Sequence, residues 1–344
     1  MSKHKCLISL CISLFILSCE NTFDDGSAVT QETSLYQQFV TTEHLFGIGT
    51  YENNNAWLVG YEGTIVYTGN AGKSWETQDC SCEANLYDAC FVDSKTGWIV
   101  GKLGTILHTT DGGNKWIKQN SGTERRLFEV QFMDSNTGWV VGTMGTILHT
   151  RDGGENWVDQ GFGEDRYYNG VFFIDERWGW IVGEYNTIYH TEDAGKIWVS
   201  QKAKVLIPEE PKEDFAPPPP HLYGVYFISR DIGWATGMDG IIIKTEDGGK
   251  TWKRLDTEAE FTIYKIYIEA NKGLAIGDRG EYLVSNDGGN TWKKLEDIIR
   301  TRFWLRDMVF TDASHAWIVG AFGTILHTKD GAITWEKLSG SFIQ

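Results

Sequence analysis

Apolar and polar residues alternate along this chain in short runs, and no stretch of the mature sequence carries the 3.6-residue period of a helix. LFEVQF (127–132) and LYGVYF (222–227) place an apolar residue at every second or third position, as a strand with one buried face requires. Each such run leads into a polar turn and a short apolar run such as GWVVG. A Gly-containing turn, the run GTILHT, the tight turn DGG and a fourth run opening with Trp, such as NWVDQ, complete the unit. Runs rich in Val, Ile, Phe, Tyr and Trp, bounded by Gly, Asn and Asp, predict four strands joined by hairpin turns.

The unit recurs. The Trp or Leu ahead of each GTI-like phrase falls at Trp57, Trp98, Trp139, Trp180, Trp234, Leu274 and Trp317, with gaps of 41, 41, 41, 54, 40 and 43 residues. The one long gap exceeds the usual by 54 − 41 = 13 residues and contains IPEEPKEDFAPPPP (207–220). Seven four-stranded units predict an all-β, seven-bladed β-propeller over residues 35–344, with that Pro-rich stretch as an insertion. Its four consecutive prolines predict extended polyproline II, as a surface excursion, a lid or a peptide-like ligand.

The tight turn is written seven times, as TGNAGKSW, TTDGGNKW, TRDGGENW, TEDAGKIW, TEDGGKTW, SNDGGNTW and TKDGAITW. An Asp in such a turn accepts bonds from backbone N–H groups a few residues on, and Gly supplies positive φ. This is the Asp-box pattern. One copy per blade spreads Asp111, Asp152, Asp193, Asp247, Asp287 and Asp330 around the rim, which predicts structural turns rather than catalytic or metal-binding carboxylates. His108, His149, His190 and His327 also occur once per blade, on the third strand, so they do not converge on one ion. No cofactor or metal site is expected.

The start of the chain changes the picture of where the propeller works. Lys3 and Lys5 precede an apolar run, Leu7 to Leu17, too short to span a membrane comfortably. Residues 1–18 read as a secretion signal, and Ile16-Leu17-Ser18-Cys19 resembles a bacterial lipobox with Cys19 as the acylated residue. The alternative is an ordinary signal peptide with an incidental Cys. Residues 19–34 read as an acidic, flexible tether. The expected location is the cell envelope, outside the cytoplasm, lipid-anchored to a membrane.

The chain has 31 basic and 47 acidic residues, a formal charge of −16. Loss of residues 1–18 removes Lys3 and Lys5 and leaves 29 against 47, or −18. Such a surface excludes nucleic acid as a partner and leaves membrane attachment to the lipid. Cys90 pairs with Cys80 or Cys82 in one reading, leaving one thiol over; three free thiols or a metal site are the alternatives. Thirteen of the 15 Trp residues occupy repeat slots, so the aromatic content is mostly architecture.

Function in a repeat protein is sought where the repeats differ. The loops from the fourth strand of one blade to the first of the next lie on one face, and carry Arg125, Arg126, Arg166, Arg300, Arg302 and Arg306. Tyr167, Tyr168, His221, Tyr223, Phe303 and Trp304 lie beside them. The turns between second and third strands share that face and add Tyr61, Lys102, Met144, Tyr185, Met238, Arg279 and Phe322. A basic, aromatic face on an acidic body predicts docking of an acidic or carboxylate-bearing partner through Arg125, Arg126, Arg166, Arg302, Arg306, Tyr167 and Trp304. The bland alternative pairs these arginines with Asp165, Glu124 or Asp307.

GWVVGTMGTILHTRDGGENW and GWIVGKLGTILHTTDGGNKW resemble the photosystem II stability/assembly factor family of cyanobacteria and chloroplasts, over nearly all of the mature chain. The resemblance implies a non-catalytic seven-bladed propeller, here as a bacterial lipoprotein homologue. It would bind a newly made membrane-protein subunit or another protein through an Arg-rich patch, for which Arg125, Arg126, Arg166 and Arg302 stand by loop location. A monomer is expected. A glycan- or surface-ligand-binding lipoprotein is the alternative, and an Asp-box glycoside hydrolase the third. A hydrolase needs a carboxylate pair near the axis, and no convergent pair is legible in the sequence.

Overall fold

Each repeat closes into one antiparallel sheet in the computed structural model, which describes residues 40–340 except 202, 205–217 and 297. Seven four-stranded sheets form, each from four consecutive strands, as the repeat count predicts. Numbering strands in chain order, blade 1 is β1 (Leu45–Tyr51), β2 (Asn55–Gly60), β3 (Ile65–Thr68) and β4 (Glu76–Thr77). The other inner strands are β5 (Leu86–Phe91), β9 (Leu127–Phe132), β13 (Tyr168–Phe173), β17 (Leu222–Phe227), β21 (Ile263–Glu269) and β25 (Leu305–Phe310). The signal peptide, lipobox and tether lie outside the described residues, as does most of the Pro-rich insertion. No described helix is long and apolar enough to cross a membrane.

Every inner strand carries the same irregularity. Pairing with the second strand slips between its first and third residues, for example between Leu45 and Gly47 and between Leu305 and Asp307. A bulge of this kind puts an extra residue into the strand and re-aims the side chains around it. The outer strands are short. β4 begins one residue after Trp75, so the Asp-box Trp precedes its strand rather than opening it.

The blades are joined by one repeated packing unit. Phe132 ends β9; Trp98 of the preceding blade stacks flat on it at 3.5 Å, and Trp157 of its own Asp box meets it edge-on at 5.9 Å. Trp57, Phe91 and Trp116 repeat the arrangement, as do Trp139, Phe173 and Trp198. The same indoles donate across the joint: Trp57 Nε1 to Gly112 O (3.0 Å), Trp98 to Gly153 O (3.0 Å), Trp139 to Ala194 O (3.4 Å), Trp180 to Gly248 O (3.1 Å) and Trp234 to Gly289 O (2.8 Å). Each indole is fully buried, so its N–H needs that acceptor.

The ring closes without exchanging a strand, because β1 to β4 and β25 to β28 (Glu336–Ser339) are each contiguous sheets. Side chains and backbone join them instead. Ile48 N donates to Asp307 Oδ2 (2.9 Å), Gly323 N to Glu43 O (2.8 Å), and Asn53 Nδ2 to Asp312 Oδ2 (2.7 Å).

The Asp boxes are turns. Asp111 Oδ1 accepts from Lys115 N (2.9 Å) and from Thr109 Oγ1 (2.9 Å), and Asp152, Asp193, Asp247, Asp287 and Asp330 do the same in their own blades. In blade 1 Asn70 fills the position and accepts from Ser74 N (2.9 Å). The four repeat histidines stack on the second-strand Trp of their own blades, at 4.7, 4.8, 4.8 and 4.0 Å for His108, His149, His190 and His327.

The cysteine reading is corrected. Cys80 and Cys82, both in the loop after β4, pair with each other, with Cα atoms 5.2 Å apart. Cys90 is a free thiol on β5 that accepts from Phe132 N (3.3 Å), fixed against the next blade's inner strand. Asn186 ties both ends of the insertion: its N–H donates to Pro220 O (2.8 Å) and its Nδ2 to Ala203 O (2.9 Å).

Two stability predictions follow from these contacts. Trp98→Phe keeps the stack on Phe132 but leaves Gly153 O without its indole donor, so urea unfolding should show a loss of about 1–2 kcal/mol. Burial, aided by Arg151 and Lys329 respectively, lowers the pKa of His149 and of His327 to about 4. Their unfolded value is about 6.5, so the unfolded chain binds more protons in between. Stability should be full above about pH 6.5 and fall as pH drops towards 4. Tyr67 takes the same slot on Trp57 in blade 1, at 4.8 Å, so the double variant His149→Tyr/His327→Tyr should fold. Its urea midpoint should change less between pH 7.5 and 5 than that of the wild type.

Candidate functional site

The bulge brings the second residue of every inner strand to one mouth of the central channel. Phe46, Tyr87, Phe128, Asn169, Tyr223, Tyr264 and Arg306 line it, one from each blade and all half-buried. Neighbouring rings touch: Phe46 with Tyr87 at 5.7 Å, Tyr87 with Phe128 at 5.6 Å, and Tyr223 with Tyr264 at 5.4 Å. Arg306 lies over Tyr264 at 4.6 Å and Tyr223 at 5.9 Å.

A second ring of positions sits just before the inner strands: His44, Asn85, Arg126, Tyr167, His221, Thr262 and Trp304. The backbone carbonyl of each accepts from the adjoining turn between second and third strands of its own blade, for example His44 O from Tyr61 N (2.9 Å) and Trp304 O from Ala321 N (3.1 Å). The two loop sets therefore share one face. Trp304 stacks on Phe46 at 5.7 Å and meets His44 at 5.4 Å; His44 meets Phe322 at 4.7 Å, and Phe322 meets Phe303 at 4.7 Å. At the other end Phe128 reaches Tyr167 at 6.0 Å. Eight rings thus run unbroken from Phe303 in blade 7, through blades 1, 2 and 3, to Tyr167 in blade 4.

The adjoining turns add exposed apolar tips. Leu103, Met144, Tyr185 and Phe322 are 59, 39, 42 and 45% exposed. All four have positive φ, at 58, 58, 54 and 52°, a conformation that bulky residues adopt only at a cost.

The arginines divide into two groups. Arg125 donates to Met144 O (3.2 Å) and Thr146 Oγ1 (3.3 Å), and Arg166, 41 residues later, donates to Thr187 Oγ1 (3.1 Å) with Glu164 at 3.8 Å. Each braces the turn between second and third strands of the blade that it opens. Arg126 and Arg302 are exposed, with no side-chain hydrogen bond or ion pair among the described residues. Trp304, Tyr167 and Arg306 belong to the arc and the mouth. All seven sequence-predicted residues therefore share one face, but only Arg126 and Arg302 present uncommitted charge.

Below the mouth lies a charged layer that the sequence reading missed. The third inner-strand position holds Gly47, Asp88, Glu129, Gly170, Gly224, Lys265 and Asp307. Three carboxylates converge here, correcting the expectation that none do. Lys265 Nζ bonds Glu129 Oε1 and lies 3.3 Å from Asp307 Oδ1. Each carboxylate also accepts a backbone N–H from a neighbouring inner strand: Asp88 from Val130 (2.9 Å), Glu129 from Val171 (2.7 Å) and Asp307 from Ile48 (2.9 Å). Burial pushes Asp88 well above the usual carboxylate range against the pull of Lys265, and the surrounding carboxylates hold Lys265 charged. The signal for both layers was present as the 41-residue phase read at the second and third inner-strand positions.

A family profile described as "Photosynthesis system II assembly factor YCF48" matches residues 27–122, 114–219 and 216–302. The chain belongs to this family. Among solved structures, it is similar to one titled "YCF48 bound to D1 peptide", with 20% identity and a TM-score of 0.70, covering 85% of this chain and 95% of that one. YCF48 from Cyanidioschyzon merolae matches at 19% identity and TM-score 0.66, covering 84% and 96%. A GH74 xyloglucanase from Xanthomonas campestris matches at 12% identity and TM-score 0.66, covering 88% of this chain and 55% of the enzyme. These likenesses establish the shared propeller. No curated protein matches.

The charged layer yields a pH-signed prediction. Lys265→Met should leave the three carboxylates without their cation and cost about 3 kcal/mol at pH 7. Asp88, already raised by burial, would lose the cation that pulls its pKa down and would hold its proton further up in pH, so the loss should shrink as pH falls towards 5. Urea midpoints of variant and wild type at the two pH values measure this.

Proposed function

We propose that this propeller is a lipid-anchored, non-catalytic assembly factor that holds an extended segment of a membrane-protein subunit across its aromatic arc. The observation that carries the reading is the arc itself: eight contiguous rings with Arg126 and Arg302 close by, on one face. Rings of this kind give an extended peptide flat apolar contact, and the uncommitted guanidinium groups suit a carboxylate on it. A YCF48 propeller of the same fold has been solved with a D1 peptide, which supports a peptide as ligand. The described chain begins at residue 40 on this same face, where Glu43 O accepts from Gly323 N. The channel carboxylates, committed to backbone N–H groups and Lys265, support a non-catalytic reading; a monomer outside the cytoplasm is part of the same proposal.

Affinity purification of the tagged protein from its own detergent-solubilised membranes, with mass spectrometry, tests the reading. A membrane-protein partner should be recovered by the wild type and reduced at least tenfold by Phe46→Ala/Tyr87→Ala and by Arg126→Ala/Arg302→Ala. Cys19→Ala should abolish acyl labelling and release the protein from the membrane fraction. Recovery of the partner unchanged by both double variants would remove the arc from the account. Glycan binding is the second reading, favoured by the exposed rings and by the fold shared with xyloglucanases. Retardation on xyloglucan gels, lost in Phe46→Ala/Tyr87→Ala, would support it instead.

A further inference from the structure

The joint between blades 6 and 7 lacks the second-strand indole that the other six joints carry. Leu274 stands where Trp57, Trp98, Trp139, Trp180, Trp234 and Trp317 stand elsewhere. The seventh residue counted from the start of the inner strand is Glu269, where other blades place Val92, Met133, Ile174 and Ile228. The turn is also shorter, with four residues between Ile268 and Gly273 against five between Phe132 and Gly138. Phe310 occupies the place of Phe91, Phe132, Phe173 and Phe227, which are buried, yet it is only half-buried. Without an indole to face it, Phe310 stacks on Tyr267 at 4.1 Å.

These changes open a cavity of about 690 Å³ at this joint. Its walls are mainly apolar, including Leu274, Val284, Leu295, Ile298, Phe310 and Ile333, with Glu269 and Lys272 also lining it. Gly331 lines it too. Gly331 holds the Asp-box position of Gly112, Gly153, Ala194 and Gly248, whose carbonyls accept an indole N–H at four other joints; at the fifth the acceptor is Gly289, one position later, where blade 7 has Ala332. A concave, apolar space of this size with a few polar groups is the usual form of a small-molecule site.

We infer that this cavity binds a planar aromatic small molecule of the indole class, bearing an N–H or O–H donor. The ligand takes the place that a tryptophan side chain fills at the other joints. Its ring packs on the apolar wall beside Phe310, and its donor meets the Gly331 carbonyl. The site lies at the opposite end of the blades from the aromatic arc, among the Asp-box and first hairpin turns, and stands apart from the peptide reading.

Indole itself is the probe. Titration of the full chain, followed by saturation-transfer NMR and by calorimetry, should show saturable binding with Kd of about 1 mM or tighter. Leu274→Trp, which supplies the missing indole, should weaken it at least tenfold. Ala313→Trp, on the exposed rim of the cavity, should do the same by narrowing the mouth, and it carries the test if Leu274→Trp does not fold. Phe46→Ala/Tyr87→Ala should leave indole binding unchanged. Absence of saturable binding to the wild type would overturn the inference. So would binding that survives Ala313→Trp and a folded Leu274→Trp, or binding lost only when the arc is altered.

Discussion

The fold rests on an indole that crosses from one blade to the next. At the joint after blade 2, Trp98 lies flat on Phe132 while its N–H reaches the carbonyl of Gly153 in the next Asp box. Stacking sets the spacing between sheets and the hydrogen bond sets their height along the axis. Either alone leaves a degree of freedom, because stacked rings slide and a single bond pivots. Together they fix both, so equivalent positions on successive inner strands fall into level rings. The residues in those rings are then free to vary. Phe46, Asn169 and Arg306 hold equivalent positions with no common chemistry, since none of them holds the blades together in the way Trp98 does.

The same economy governs the channel. A propeller axis is where a hydrolase would need free carboxylates, and here three of them face it. Each has already accepted a neighbouring strand's N–H, and Lys265 stands among them. Bulged strands leave backbone donors unpaired on the channel side, and short acidic side chains are the nearest acceptors. Gly47, Gly170 and Gly224 supply no side chain at the other positions of this layer, and the excess negative charge is met by one Lys and by the raised pKa of Asp88.

What was legible in the sequence is what lies close along the chain. The Asp-box bonds span two to four residues, as in Thr109 to Asp111 and Lys115 to Asp111, so spacing alone revealed them. The blade count followed from a period. The arc was only half visible: Trp304 and Tyr167 drew notice as departures from the repeat, whereas Phe46, Tyr87 and Phe128 sit inside an ordinary strand pattern. Their partners come from other blades, and Trp304 meets Phe46 across the ring closure. The channel cluster combines blades 2, 3, 6 and 7, which no local reading brings together. Arg125 and Arg166 looked like free charge because the bonds bracing Thr146 and Thr187 span 21 residues.

Blade 7 is held differently from the rest. On one side Leu274 offers no indole; on the other Trp317 is buried with no acceptor for its Nε1. Asn53 to Asp312 and the rings of Trp304, Phe46, His44 and Phe322 stand in for the missing bonds. Half of the arc is therefore also the clasp of the ring. A segment lying across Trp304 and Phe46 contacts both terminal blades at once, and binding to the closed ring in preference to an opened one stabilises the closure by mass action. The blade with the fewest repeat contacts is also the one whose two joints carry the departures from the repeat. Under the proposed reading, recognition and closure share one set of side chains, and a substitution in the arc acts on both.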